Sequence, residues 1–123
     1  KVDWNIDNNK PIYIQLVDKL KSKIISGEIP PGAKLESVRN LAEDAEVNPN
    51  TMQKALIELE REELVYSKRT SGRFVTDNEE RIKRMREEVA NREIENLKLI
   101  LKELGYSEEE IINLIINNIK GEI

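Results

Sequence analysis

The chain has 123 residues, room for one domain and a short appendage at roughly 100–200 residues per domain, and with 38% apolar and 36% charged residues it can bury one modest core. It contains neither cysteine nor histidine, which excludes disulfide staples, thiolate chemistry, imidazole-ligated zinc and any Ser-His-Asp or Cys-His catalytic arrangement. The net charge of −4 is unevenly placed: residues 1–76 carry 12 basic and 12 acidic side chains and residues 77–123 carry 8 and 12, so the acidic excess lies in the tail.

Tyr13, Leu16, Val17, Leu20 and Ile24 recur at helical spacing and predict an amphipathic first helix. Pro11 suits its first turn and Gly27 its end. Ile29-Pro30-Pro31-Gly32 reads as a tight turn. Ser37 is the natural N-cap of a short second helix with Val38, Leu41, Ala42 and Ala45 as its apolar stripe. Ala45-Glu46-Val47 makes the connection, and Asn48 (N-cap) with Pro49 (first position) starts a third helix. There Met52, Ala55, Leu56 and Leu59 lie on one face and Asn50, Gln53 and Lys54 on the opposite one. Leu64-Val65-Tyr66 and Arg73-Phe74-Val75-Thr76 predict a hairpin with Gly72 near its tip.

Beyond a cap at Asp77-Asn78, residues 79–104 read as a long helix with Ile82, Met85, Val89, Leu97, Ile100, Leu101 and Leu104 as buried positions, ended by Gly105. Ser107 and Glu110 have capping-box spacing and open a last helix over residues 107–120. Its Ile111, Ile112, Leu114, Ile115, Ile116 and Ile119 wrap most of the circumference, so it needs cover on more than one side. A second subunit would supply that cover. The carboxylate-rich stretches, Glu58–Glu63 and Glu108–Glu110, read as solvated helix faces and not as a metal site. Tyr13, Leu16, Met52, Leu56, Leu59 and Phe74 are expected in the core; Trp4 could cover the core, meet a partner or stand exposed.

Three short helices followed by a two-stranded ribbon is the element order of a winged helix-turn-helix. In that arrangement the third helix presents its N-terminal residues to the DNA major groove, where Asn or Gln can pair bidentately with adenine. Asn50, Gln53 and Lys54 stand at the right end. The hairpin turn, Lys68-Arg69-Thr70-Ser71-Gly72-Arg73, packs three cations into six residues, as expected of a wing that touches phosphates or enters a minor groove.

The stretch Pro11 to Val75 resembles the DNA-binding domain of GntR-family bacterial transcription regulators. The matching residues are Pro11-Ile12-Tyr13, Ser26 to Leu35, Ser37-Val38-Arg39-Asn40-Leu41-Ala42, Asn48-Pro49-Asn50-Thr51, Ala55-Leu56, Leu59-Glu60 and Gly72-Arg73-Phe74-Val75. The Asn48-Pro49-Asn50-Thr51 signature and the short tail resemble the YtrA-like branch, which carries two C-terminal helices for dimerisation in place of a large effector domain. Glu36 departs from the family's usual proline before the Ser-x-Arg motif, and Asn50 and Gln53 occupy a region where the family commonly has arginines. Thr70 replaces a glycine of the wing and Arg73 a small polar residue.

The expected fold is therefore mainly α with a small β-hairpin: a winged helix-turn-helix over residues 1–76 and a two-helix dimerisation tail over residues 77–123. The resemblance implies that Arg39 contacts a phosphate or a guanine. Asn50, Gln53 and Lys54 read as DNA contacts from the third helix, and Lys68, Arg69, Gly72 and Arg73 as the wing. Ser37 and Asn48 are caps first, although a cap at a helix N-terminus can also meet a phosphate, and Thr51 is similarly placed. The expected function is a sequence-specific DNA-binding regulator, a repressor by preference, bound as a homodimer to an inverted-repeat operator with half-sites one or more turns (~34–36 Å each) apart. The alternative is a winged-helix protein-interaction module that never binds DNA; neutral charge and Glu36 favour it, the polar helix face and basic wing oppose it. No enzymatic role, cofactor or metal is expected. A small-molecule effector could sit between tail and winged domain, although no polar cluster marks a pocket. The first residues show no signal-peptide core and no apolar run approaches a membrane span, so a cytoplasmic location is expected.

Overall fold

The structure, a computed structural model, describes residues 3–121. These residues form five helices and one hairpin: α1 (Ile12–Ile25), α2 (Val38–Ala45), α3 (Pro49–Arg61), β1 (Val65–Lys68), β2 (Gly72–Val75), α4 (Glu79–Glu103) and α5 (Glu108–Lys120). The chain divides into two compact units, Lys1–Arg86 and Glu87–Ile123.

In the first unit, α2, α3 and α4 start on side-chain caps that the sequence announces. Pro11 stands at the N-cap of α1, just ahead of the first turn expected for it, and makes no side-chain cap bond. The Ser37 hydroxyl accepts from the Asn40 amide at 3.1 Å, and the Asn48 side-chain oxygen accepts from the Asn50 amide at 2.7 Å with Pro49 in the first turn. Each satisfies one of the amides a helix start leaves without a partner. The chain leaves α2 through Glu46, held in the left-handed region at φ 57°. Gly32 at φ 80° completes the turn in which the Ala33 amide donates to the Pro30 carbonyl. That turn delivers Ala33 to Leu35 onto β2. The Val75 amide donates to Ala33 at 2.8 Å and the Leu35 amide to Arg73 at 2.9 Å. A short third edge is thereby added to the hairpin, where the sequence suggests only a connection.

β1 and β2 pair antiparallel with Val65 opposite Val75 and Lys68 opposite Gly72. Gly72 is thus the first residue of β2, one step past the tip. Its φ of 101° follows the turn in which the Ser71 amide donates to Lys68, the pattern of a three-residue hairpin loop.

The core lies where α1 and α3 meet: Leu16, Leu20 and Ile24 pack with Met52, Leu56 and Leu59, and Leu64 and Val75 close it from the hairpin. Trp4 is buried, which resolves its three readings toward core cover. Tyr13 and Phe74 are half-buried, not core; the Phe74 ring stacks on Tyr66 with centroids 5.9 Å apart. Lys21 on α1 is buried and forms an ion pair with Glu62 at 2.7 Å. The first turns of α4 belong to this unit because Ile82 and Met85 are buried and two arginines bind its helix ends: Arg81 donates twice to the Glu62 carbonyl and Arg86 donates to that of Ile25. Cations at helix C-termini are favourably placed against the helix dipole.

In the second unit, α4 ends in a Schellman arrangement: the Tyr106 amide donates to Leu101 and the Gly105 amide to Lys102, with Gly105 at φ 99°. The Ser107–Glu110 capping box is formed in both directions. Burial departs from the sequence expectation here. Ile111 is buried and Val89, Leu101, Leu114 and Ile115 are half-buried, but Leu97, Ile100 and Leu104 are exposed, as are Ile112, Ile116 and Ile119. The two helices of one chain offer too little surface to enclose these stripes.

Candidate nucleic-acid interface

The surface of the winged unit that combines cations with free polar groups is built from α2, α3 and the hairpin. Packing orients α3: with Met52, Ala55, Leu56 and Leu59 buried, helical periodicity turns Asn50 and Lys54 outward, and both are exposed. Thr51 and Gln53, nearer the edges of that face, are half-buried. Ser37 and Asn48 each spend one oxygen on a cap, which leaves the Ser37 hydroxyl proton and the Asn48 amide nitrogen able to donate outward. Arg39 is exposed, and among the described residues it forms no ion pair with Glu36 or Glu43.

The hairpin divides its three cations between two environments. Arg69 lies exposed in the loop. Lys68 is exposed with its ammonium 4.7 Å above the Phe74 ring centroid, an arrangement that keeps the charge at the surface while covering an aromatic face. Arg73 is turned inward. Its Nε donates to Glu60 at 2.6 Å and its Nη1 lies 3.5 Å from the Gln53 side-chain oxygen. Glu60 also accepts from the Ser67 hydroxyl at 3.2 Å. One carboxylate on α3 thus ties down both strands of the hairpin.

The structure brings Ser37, Gly72 and Arg73 to the rim of one open groove of about 540 Å³, with Lys34 and Glu36 beside them. Lys34 is a cation that sequence reasoning misses. It sits on the added edge strand, and a side chain at Gly72 would meet its Cε at 3.4 Å. Glu36 is exposed and is the anion of this groove. Glu60, the hub of the hairpin ties, is missed for another reason: only the folded hairpin carries Arg73 and Ser67 to it.

On the flank of α3, Arg61 donates to Glu58 through Nε at 2.9 Å and Nη2 at 2.5 Å. These bonds hold the Glu58 carboxyl down at about 2, below its ordinary 4.5. Glu58, Glu60 and Glu62 are half-buried and engaged in ion pairs, where the sequence suggests a solvated face, and among the described residues no group of His, Cys, Asp or Glu is arranged to hold a metal ion. No helix among them is long and apolar enough to cross a membrane.

The chain that folds in this way is similar to known proteins. The family of bacterial regulatory proteins called gntR matches residues 12–75. The HTH-type transcriptional regulator YhcF of Bacillus subtilis is 33% identical over 111 residues, covering 90% of this chain and 92% of that protein. The HTH-type transcriptional repressor YtrA of the same organism is 41% identical over 71 residues, covering 58% and 55%. Among solved structures, a GntR family transcriptional regulator from Listeria monocytogenes superimposes with a TM-score of 0.85 at 38% identity, covering 91% of this chain and 98% of that one. The matched segment runs from the start of α1 to the end of β2 and contains every element that builds the polar face: the chain belongs to the GntR family of DNA-binding transcription regulators, with the winged helix-turn-helix fold and C-terminal helices of its relatives.

Proposed function

We propose that this chain is a cytoplasmic, sequence-specific repressor that binds an inverted-repeat operator as a homodimer. In this reading residues 1–76 are the DNA-binding module and residues 77–123 the dimerisation segment. α3 enters the major groove with Asn50, Gln53 and Lys54 toward the bases, Ser37, Arg39, Asn48 and Thr51 along the adjoining backbone, and Lys68, Arg69, Gly72 and Arg73 forming the wing.

The observation that carries this reading is the orientation of α3, which buries one face completely and leaves a polar, cation-bearing face at its N-terminal end. Helix N-termini with free donors suit phosphate contact as well as base contact. The repressor assignment is supported by the name of the relative YtrA. The homodimer is supported by the exposed aliphatic side chains of α4 and α5: Leu97, Ile100, Leu104, Ile112, Ile116 and Ile119. Apolar area of this kind stabilises association by about 25 cal/mol per Å² buried, and a two-fold interface would pair the same patch from each subunit.

The test is affinity for duplex DNA selected from a random library, measured across salt concentration. A DNA binder shows log K falling with log salt at a slope of about −0.9 per phosphate contacted. Lys54→Ala and Arg39→Ala are each expected to weaken binding, with circular dichroism and sedimentation unchanged. A response flat in salt, with no sequence enriched, would favour the protein-interaction module that Glu36 and the balanced charge of residues 1–76 suggest.

A further inference from the structure

We propose that Arg73 is a positioning residue that fixes the hydrogen-bonding polarity of Gln53 and thereby selects guanine over adenine at the base pair Gln53 meets. The proposal rests on the DNA-binding reading above and deepens it.

Gln53 and Glu60 are seven residues apart on α3, two helical turns, and so share a face. Arg73 reaches across from β2 to both: Nε is 2.6 Å from the Glu60 carboxylate and Nη1 is 3.5 Å from Gln53 Oε1. The Arg73 side chain is only 18% exposed, so Glu60 and the hairpin hold it in place. A guanidinium has donors and no acceptor. Beside it, the Gln53 amide must turn its oxygen inward and its nitrogen away. The amide nitrogen, a donor, therefore leads from the free end of Gln53, and only the second lone pair of Oε1 remains to accept.

This changes what Gln53 can read. A free glutamine pairs bidentately with adenine, accepting from N6 and donating to N7. With Oε1 drawn to the guanidinium, one of its two lone pairs is engaged and the amide nitrogen leads outward, so the acceptor half of that pair is weakened and the adenine amino group meets a donor first. Guanine presents two neighbouring acceptors, N7 and O6, in the major groove, and an amide that leads with its donor matches them. Asn50, whose side chain has no such tie among the described residues, keeps both halves of its amide.

The experiment is a random-library selection with the full chain, run on the wild type and on Gln53→Ala, Arg73→Met and Arg73→Lys. Gln53→Ala identifies the base pair concerned by flattening the preference there. At that pair the wild type is expected to enrich guanine over adenine by roughly tenfold, the discrimination typical of one base-edge contact. Arg73→Met frees Oε1, and adenine is expected to rise to parity or above at that pair alone. Arg73→Lys keeps a cation for Glu60 and lacks the planar fork that spans both partners; it is expected to shift the preference in the same direction even where the Met variant fails to fold. Loss of a simple phosphate contact would weaken all sequences equally, so a change confined to one base pair separates positioning from backbone binding. Adenine preferred by the wild type, no position altered by Gln53→Ala, or a preference unchanged in a folded Arg73 variant would each overturn the proposal while leaving DNA binding intact. Failure of the wild type to enrich any sequence would instead defeat the DNA-binding reading itself.

Discussion

α3 and α5 are both 13-residue helices opened by a side-chain cap, yet they meet opposite fates. α3 has four apolar residues on one stripe and buries all four against its own chain. α5 has six aliphatic residues and buries one, Ile111. The helix with less apolar surface is the better satisfied, because α1 and the hairpin supply a complementary face to it. Its remaining surface is free to carry Asn50, Gln53 and Lys54. α5 has aliphatic groups on both flanks and only one side covered. Apolar content therefore does not measure how well a helix is packed within its chain, and the surplus on α5 is the surface that the proposed dimer would cover.

Four substitutions would break or sharpen this contrast. The largest effect is expected at the centre of the satisfied region. Leu56 is fully buried, and Leu56→Ala should cost about 2–5 kcal/mol of stability in denaturant unfolding, a large share of the roughly 5–15 kcal/mol a small domain possesses. On the unsatisfied region, Ile116→Glu should abolish dimerisation in sedimentation while helix content survives; a variant that remains dimeric would show that α5 is not at the interface. Cap removal is next in size. Asn48→Ala deprives the Asn50 amide of its partner and should lower the unfolding free energy by about 1 kcal/mol.

The smallest effect concerns pH. Glu58 is held by Arg61 at about 2, below its ordinary 4.5. A carboxyl lowered on folding adds stability at pH above its ordinary value and loses it as pH falls from there toward the folded value. Thermal unfolding should therefore show an acid limb between about pH 4.5 and 2 that Glu58→Gln makes shallower, and the Arg61 side chain, 71% exposed, keeps the effect slight. An identical acid limb in the variant would show that the pair contributes nothing measurable.

Much of the winged unit was legible before folding was considered. Ser37, Asn48-Pro49 and Ser107 announce helix starts because capping involves residues three or fewer apart. The stripes on α1 and α3 predict burial correctly, half-buried Tyr13 excepted, because their period matches the helix. Legibility stops at long-range pairing. Ala33 to Leu35 carries no strand signature and becomes an edge only because Arg73 and Val75 present free backbone groups to it. The hairpin cluster reads as three equivalent cations, but folding turns Arg73 inward onto Glu60 and leaves Arg69 in the open.

The amino-acid order was sufficient for the helix boundaries, the polar face of α3 and the family, since these depend on neighbours a few positions apart or on a motif read in line. Which polar groups are spent internally and which remain free depended on contacts such as Arg73 with Gln53, 20 residues apart. The same holds for which stripes one chain can cover. Hydrogen-bond capacity and apolar area are shared among groups that meet only in three dimensions, and no local pattern records how they are divided.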